Sequence, residues 1–84
     1  MVKPFELECL KQIAALWPSA SGSAIYRAYN SIAGQRTTIS QVFNTLAALE
    51  ASGLIAFKEE SDHTVYHLTR AGQMAIQKAE SANA

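Results

Sequence analysis

Two short β-prone runs, Leu54-Ile55-Ala56-Phe57-Lys58 and Thr64-Val65-Tyr66-His67-Leu68, interrupt a chain that is otherwise patterned for helices. They flank the polar stretch Glu59-Glu60-Ser61-Asp62-His63 and read together as an antiparallel hairpin with a polar tip. Alternation places Ile55 and Phe57 on one face, and Val65 and His67 on one face of the partner strand. Whatever this chain folds into must therefore accommodate one hairpin late in the sequence, with helices on both sides of it.

The helices have recognisable ends. Pro4 suits a first helical turn, and Pro18 stops further winding after Trp17. Within that segment Leu7, Leu10, Ala14 and Trp17 form one apolar line, and Phe5, Cys9, Ile13 and Leu16 a second, a wider stripe than one surface helix needs. Ser23 is a suitable N-cap for a second, short helix in which Ile25, Ala28, Tyr29 and Ile32 recur until Gly34, with Tyr26, Arg27, Asn30 and Ser31 on its outer face. After the turn Gly34-Gln35-Arg36-Thr37, Thr38 and Gln41 form a Thr-x-x-Gln capping box that opens a third helix over 38–52. Its buried stripe is Ile39, Val42, Leu46 and Leu49, with Phe43 flanking, and Gly53 stands where a left-handed C-terminal cap belongs. The opposite face reads Ser40, Gln41, Asn44, Thr45 and Ala48. Thr69 caps a last helix, Arg70 to about Ser81, whose apolar side is Ala71, Ala75, Ile76 and Ala79.

The order is three helices, a two-stranded β wing and a short C-terminal helix. This is an α+β, mostly helical class and the arrangement of a winged helix-turn-helix. At 84 residues the whole chain, 1–84, is read as a single such domain. A family resemblance follows from two motifs. Thr45-Leu46-Ala47-Ala48-Leu49-Glu50-Ala51-Ser52-Gly53-Leu54-Ile55 resembles the "TLxxLExxGLI" stretch that ends the recognition helix and enters the wing in PadR-like and MarR-like bacterial transcriptional regulators. Tyr66-His67-Leu68-Thr69-Arg70-Ala71-Gly72 is similar to the "YxLTxxG" that leaves the wing in the PadR group. Each motif also has a mechanical reason: Leu46, Leu49, Leu54 and Ile55 fill a small core, Gly53 permits a sharp exit, and Thr69 caps a helix.

The resemblance implies that the third helix enters the major groove of double-stranded DNA, with Ser40, Gln41, Asn44 and Thr45 nearest base edges and phosphates. Gln and Asn side chains pair bidentately with adenine, and Ser or Thr serve bases or backbone. Arg27, Arg36, Thr37 and Thr38 complete the candidate set beside this helix, and Lys58 supplies it on the wing. Charge distribution supports the division. Formal net charge is zero, yet no acid occurs from Lys11 to Leu49, where Lys11, Arg27 and Arg36 stand, while Glu50, Glu59, Glu60 and Asp62 face only Lys58. The wing tip thus departs from the resembled pattern, in which Arg or Lys is common there. Its acids suit a solvated hairpin or, in an alternative reading, a winged-helix adaptor that binds a protein partner.

A homodimer is expected, because the chain has more apolar residues than one short core can use. Phe5, Ile13, Leu16 and Ile76 on the first and last helices are the candidate contacts. Trp17, Tyr26 and Tyr29 could line a pocket for an aromatic effector, as in some relatives of the resembled families, although packing is the plainer use of such rings. Cys9 lies within an apolar helix and reads as a core residue; with His63 and His67 it makes no finger-like metal spacing. No cofactor motif, phosphate loop or nucleophile elbow occurs, so the expectation is a protein that is not an enzyme and takes no cofactor or metal. Apolar runs are far short of a bilayer span, and Glu6 and Glu8 stand where a secretory signal would place basic and then apolar residues. A cytoplasmic location with no membrane partner is expected.

Overall fold

A computed structural model describes residues 3–32, 36–61 and 63–82. The elements are α1 (Pro4–Leu16), α2 (Gly22–Asn30), α3 (Ile39–Ala51), β1 (Ile55–Glu60), β2 (His63–Leu68) and α4 (Arg70–Ala82). This is the expected α+β winged helix-turn-helix order. The turn residues Gly34 and Gln35 and the tip residue Asp62 lie outside the described residues.

Pro4 occupies the first turn of α1, and the Lys3 backbone N–H is taken up by the Glu6 carboxylate at 3.0 Å. The buried side of α1 is Cys9, Leu10 and Ile13, with Phe5 and Leu16 partly buried beside them. This corrects the expected double stripe: Ala14 is exposed and Trp17 is 65% exposed. Ile13 is corrected as well. It is fully buried against the chain's own core, because α2, α3, α4 and β2 all pack on α1 and enclose that side of it. A residue so enclosed has no surface to offer a second subunit.

The core continues through Ala20, Ile25, Val42, Leu46, Leu49 and Ile55. Phe5 and Tyr29 meet edge to face above it, ring centroids 4.9 Å apart. Tyr26, expected outside, packs partly against this core, whereas Ile39, expected inside, is 45% exposed. Ile39 is the first residue of α3, where the helix has not yet come over the core.

Ser21, not Ser23, caps α2: its Oγ accepts from the Ala24 N–H at 3.2 Å. The shift has a tertiary cause. The Ala20 carbonyl accepts from the Tyr66 N–H at 2.8 Å and Ser21 bridges Val65, so the α1–α2 connector lies against β2 and the helix begins as the chain leaves it. An isolated two-stranded hairpin is marginal in water. Here it is held by that connector and by Ile55 and Val65, both buried.

The strands pair antiparallel from Ile55↔Leu68 to Glu60↔His63. Glu59, Glu60 and His63 are thus ladder residues, and the tip is shorter than the five-residue polar stretch predicted. Where α3 meets the wing, Gly53 has φ +80°, the left-handed exit expected of it. Its N–H donates to the Glu50 carbonyl and the Leu54 N–H to the Leu49 carbonyl, each at 3.0 Å, so both ends of this helix stop are satisfied. Across the wing root, the Thr69 N–H donates to the Leu54 carbonyl at 3.1 Å and its hydroxyl donates to the Gly53 carbonyl at 2.6 Å, while accepting from the Gly72 N–H at 3.2 Å. A β-carbon at position 72 would collide with the Leu54 carbonyl oxygen. The two sequence motifs therefore meet at one junction.

Candidate nucleic-acid interface

The surface of interest is the side of α3 turned away from Val42, Leu46 and Leu49. At 3.6 residues per turn, Ser40 and Asn44 lie opposite that buried line and Gln41 lies beside them. All three are exposed, and Thr45 is half-buried. Ala47 and Ala48 continue the same exposed face one turn on. Along α3 the ionised residue is Glu50, in the last turn, on the side of the helix toward the wing. There it helps burial push the Tyr66 phenol above its ordinary pKa; burial is the larger cause.

The start of α3 is built from side-chain hydrogen bonds. Thr38 Oγ1 accepts from the Gln41 N–H at 3.2 Å, the predicted half of the capping box. The reciprocal half differs: Gln41 Oε1 accepts from the Thr37 hydroxyl at 3.0 Å, which orients its amide. Thr37 is itself locked to the end of α2. Its N–H donates to Asn30 Oδ1 at 2.8 Å, and Asn30 Nδ2 donates to the Thr37 carbonyl at 3.5 Å. Sequence reading placed Asn30 on an outer face; it is half-buried and ties the two helices of the helix-turn-helix together. A signal existed, since Asn readily mimics a backbone partner near a turn, but its target lies seven residues on.

Thr37 and Thr38 thus have structural roles at the helix start, and Ser40, Gln41 and Asn44 stand exposed just beyond them. Arg27 on α2 and Arg36 just before α3 are exposed, and both belong to the acid-free stretch. Lys58 is exposed at mid-strand in β1, opposite Val65. Pairing and alternation put it on the hairpin face that also carries Glu60 and His63, so the wing's cation is set among acidic neighbours.

Of the remaining expected contacts, Phe5, Leu16 and Ile76 are partly buried against the core. The large apolar side chains left outside are Trp17, Met74, Phe57, Ile39 and Phe43. Phe43 packs over the backbone of Gly22 at the start of α2. Trp17 borders an open cavity of about 530 Å³ with Ile13, Ala14, His67, Leu68 and Gln73; Tyr26 and Tyr29 do not line it. Cys9 is fully buried, and burial, followed by the charges of Glu8 and Glu6, pushes its thiol up to about 11, so it stays protonated at neutral pH. Among the described residues no group of three or more His, Cys, Asp or Glu is placed to hold a metal ion. No described helix is long and apolar enough to cross a membrane.

No protein-family model matches the chain, and no curated protein matches it. Solved structures do. RosR of H. salinarum superposes with a TM-score of 0.82 at 20% identity, covering 96% of this chain and 73% of that one. PadR of Bacillus subtilis, solved in complex with operator DNA, gives a TM-score of 0.77 at 20% identity over 94% of this chain; the match spans about half, 48%, of that protein. A PadR family transcriptional regulator from Eggerthella lenta gives 0.73 at 19% identity, over 93% of this chain and 76% of that one. At these identities the shared property is the fold, the winged helix of PadR-type regulators, which agrees with the resemblance carried by the two wing motifs.

Proposed function

We propose that this chain, 1–84, is one DNA-binding domain that recognises double-stranded DNA sequence-specifically and regulates transcription in the cytoplasm as a homodimer. The observation that carries the reading is the exposed, polar and uncharged face of α3, pre-positioned by the Asn30–Thr37 and Thr37–Gln41 hydrogen bonds. It lies within a fold also seen in a regulator solved on its operator. In this reading the 38–52 segment enters the major groove, Gln41 and Asn44 reach base edges, and Ser40, Thr45, Thr37 and Thr38 serve edges or backbone. Arg27 and Arg36 neutralise phosphates, and Lys58 is an auxiliary contact. Two copies paired through α1 and α4, with Phe5, Leu16 and Ile76 at the seam, would set their α3 helices in successive grooves about 34 Å apart.

The test is selection of the purified chain against random duplexes, followed by salt titration of the enriched site. An enriched inverted repeat, bound less tightly as salt rises and lost on Gln41→Ala or Asn44→Ala, is the expected result. The second reading, an adaptor for a protein partner, is favoured by the exposed Glu59 and Glu60 on the wing. It predicts no enrichment from folded protein at low salt, and partner binding that survives charge reversal at Arg27 and Arg36.

A further inference from the structure

α3 holds a feature that DNA binding in general does not require. From Ile39 to Ala51 it has no Lys or Arg, the side chains that read guanine bidentately through O6 and N7. Its one acid, Glu50, sits in the last turn toward Tyr66 and the wing, away from Ser40 and Asn44, so it is not placed to accept from cytosine among them. What the exposed face does carry is two amides, Gln41 and Asn44, followed by two methyl side chains, Ala47 and Ala48, three and four residues beyond Asn44. Residues at those spacings are neighbours on a helix surface.

An A·T pair shows the major groove an acceptor and a donor on adenine, N7 and N6, and an apolar methyl group on thymine. Amides answer the first and small apolar side chains the second. Larger residues at 47 or 48 would also hold the helix off the base edges. We infer that α3 reads A·T pairs at both bases, Gln41 and Asn44 taking adenine while Ala47 and Ala48 close on thymine C5-methyl groups, so that the half-site core is A·T. This rests on the DNA-binding reading above and narrows its substrate class.

The experiment uses the full chain and the tightest duplex from a random-sequence selection. Each thymine of the half-site is replaced in turn by deoxyuracil, which removes the methyl alone, and each adenine by 7-deazaadenine, which removes the N7 acceptor alone. At one or two thymines the loss should be about fourfold, the effect of exposing one buried carbon. That loss should vanish in Ala47→Ser or Ala48→Ser, exposed positions where a hydroxyl is tolerated by the fold. At the matching adenines the 7-deaza change should cost tenfold or more, in keeping with the loss of binding on Gln41→Ala or Asn44→Ala. Specific binding with no deoxyuracil-sensitive thymine overturns the inference while leaving DNA recognition intact, as does a selected half-site whose core is G·C. Absence of any specific binding overturns both.

Discussion

The two ends of α3 are held by different kinds of chemistry. At its start, Asn30, Thr37, Thr38 and Gln41 are joined by side-chain hydrogen bonds, most of them exposed or half-exposed, between 2.8 and 3.5 Å. At its end, the Gly53 stop and the Thr69 clamp rest on backbone groups, and at Gly72 α4 approaches the Leu54 backbone too closely for any side chain. The first arrangement can be exchanged for solvent or for a ligand at modest cost, whereas the second cannot yield without parting α4 from the wing root. The adjustable end bears the candidate recognition residues and the rigid end bears the fold.

Three perturbations would break or sharpen that contrast. The largest effect belongs to Gly72→Ala, which sets a carbon against the Leu54 carbonyl; it should cost about 3 kcal/mol, the upper range for overpacking, in urea-induced unfolding. A cost below about 1 kcal/mol would mean the wing root is no more rigid than the other end. Next, Thr69→Val loses both the bond to the Gly53 carbonyl and the α4 cap, for about 2 kcal/mol, and Thr69→Ser should restore most of it. At the other end, Asn30→Ala should cost only about 1 kcal/mol of stability. In DNA binding it should weaken affinity about tenfold, equivalent to about 1.4 kcal/mol, because α3 loses its fixed angle to α2. Equal stability losses for Asn30→Ala and Gly72→Ala would abolish the distinction.

A separate pH control comes from α1, remote from both ends. The Cys9 thiol is raised from 9.0 to about 11 by burial and by Glu8 and Glu6, so the folded state holds its proton more tightly than the unfolded chain does. Its contribution is present below pH 9 and lost as pH rises toward 11. Wild type should therefore lose stability more steeply over that window than Cys9→Ala, which keeps only the decline that other groups such as Tyr66 impose on both. If the two curves run parallel from pH 8 to 11, the thiol is not buried as described.

What could be read from the sequence follows the same division. The hairpin, the Thr38 cap, the Gly53 exit and the Thr69 cap were legible because each depends on residues within a few positions of one another. The Ser21 cap was not, since Ser23 is as good a capping residue and only the pull of Val65 and Tyr66 on the connector decides between them. Asn30 is hidden for the same reason: its partner, Thr37, sits across a turn. On α1 the periodicity allowed two apolar lines, and only the positions of α2, α4 and β2 determine that Ile13 goes inside while Trp17 stays out. For the candidate site, the exposed face of α3 was readable from spacing, whereas the orientation of the Gln41 amide by Thr37 was not.

The connector at Ala20 and Ser21 has one more consequence. A two-stranded sheet has two outer edges, each a row of backbone groups able to recruit a strand from another molecule. Along β2 the connector occupies part of that row through its contacts with Val65 and Tyr66. Along β1 no such cover is present among the described residues, and that is where Lys58, Glu59 and Glu60 stand in succession. Charges on an open edge discourage strand addition, so the acids that make the wing a poor neighbour for phosphate also keep crowded copies of the protein from aggregating edge to edge.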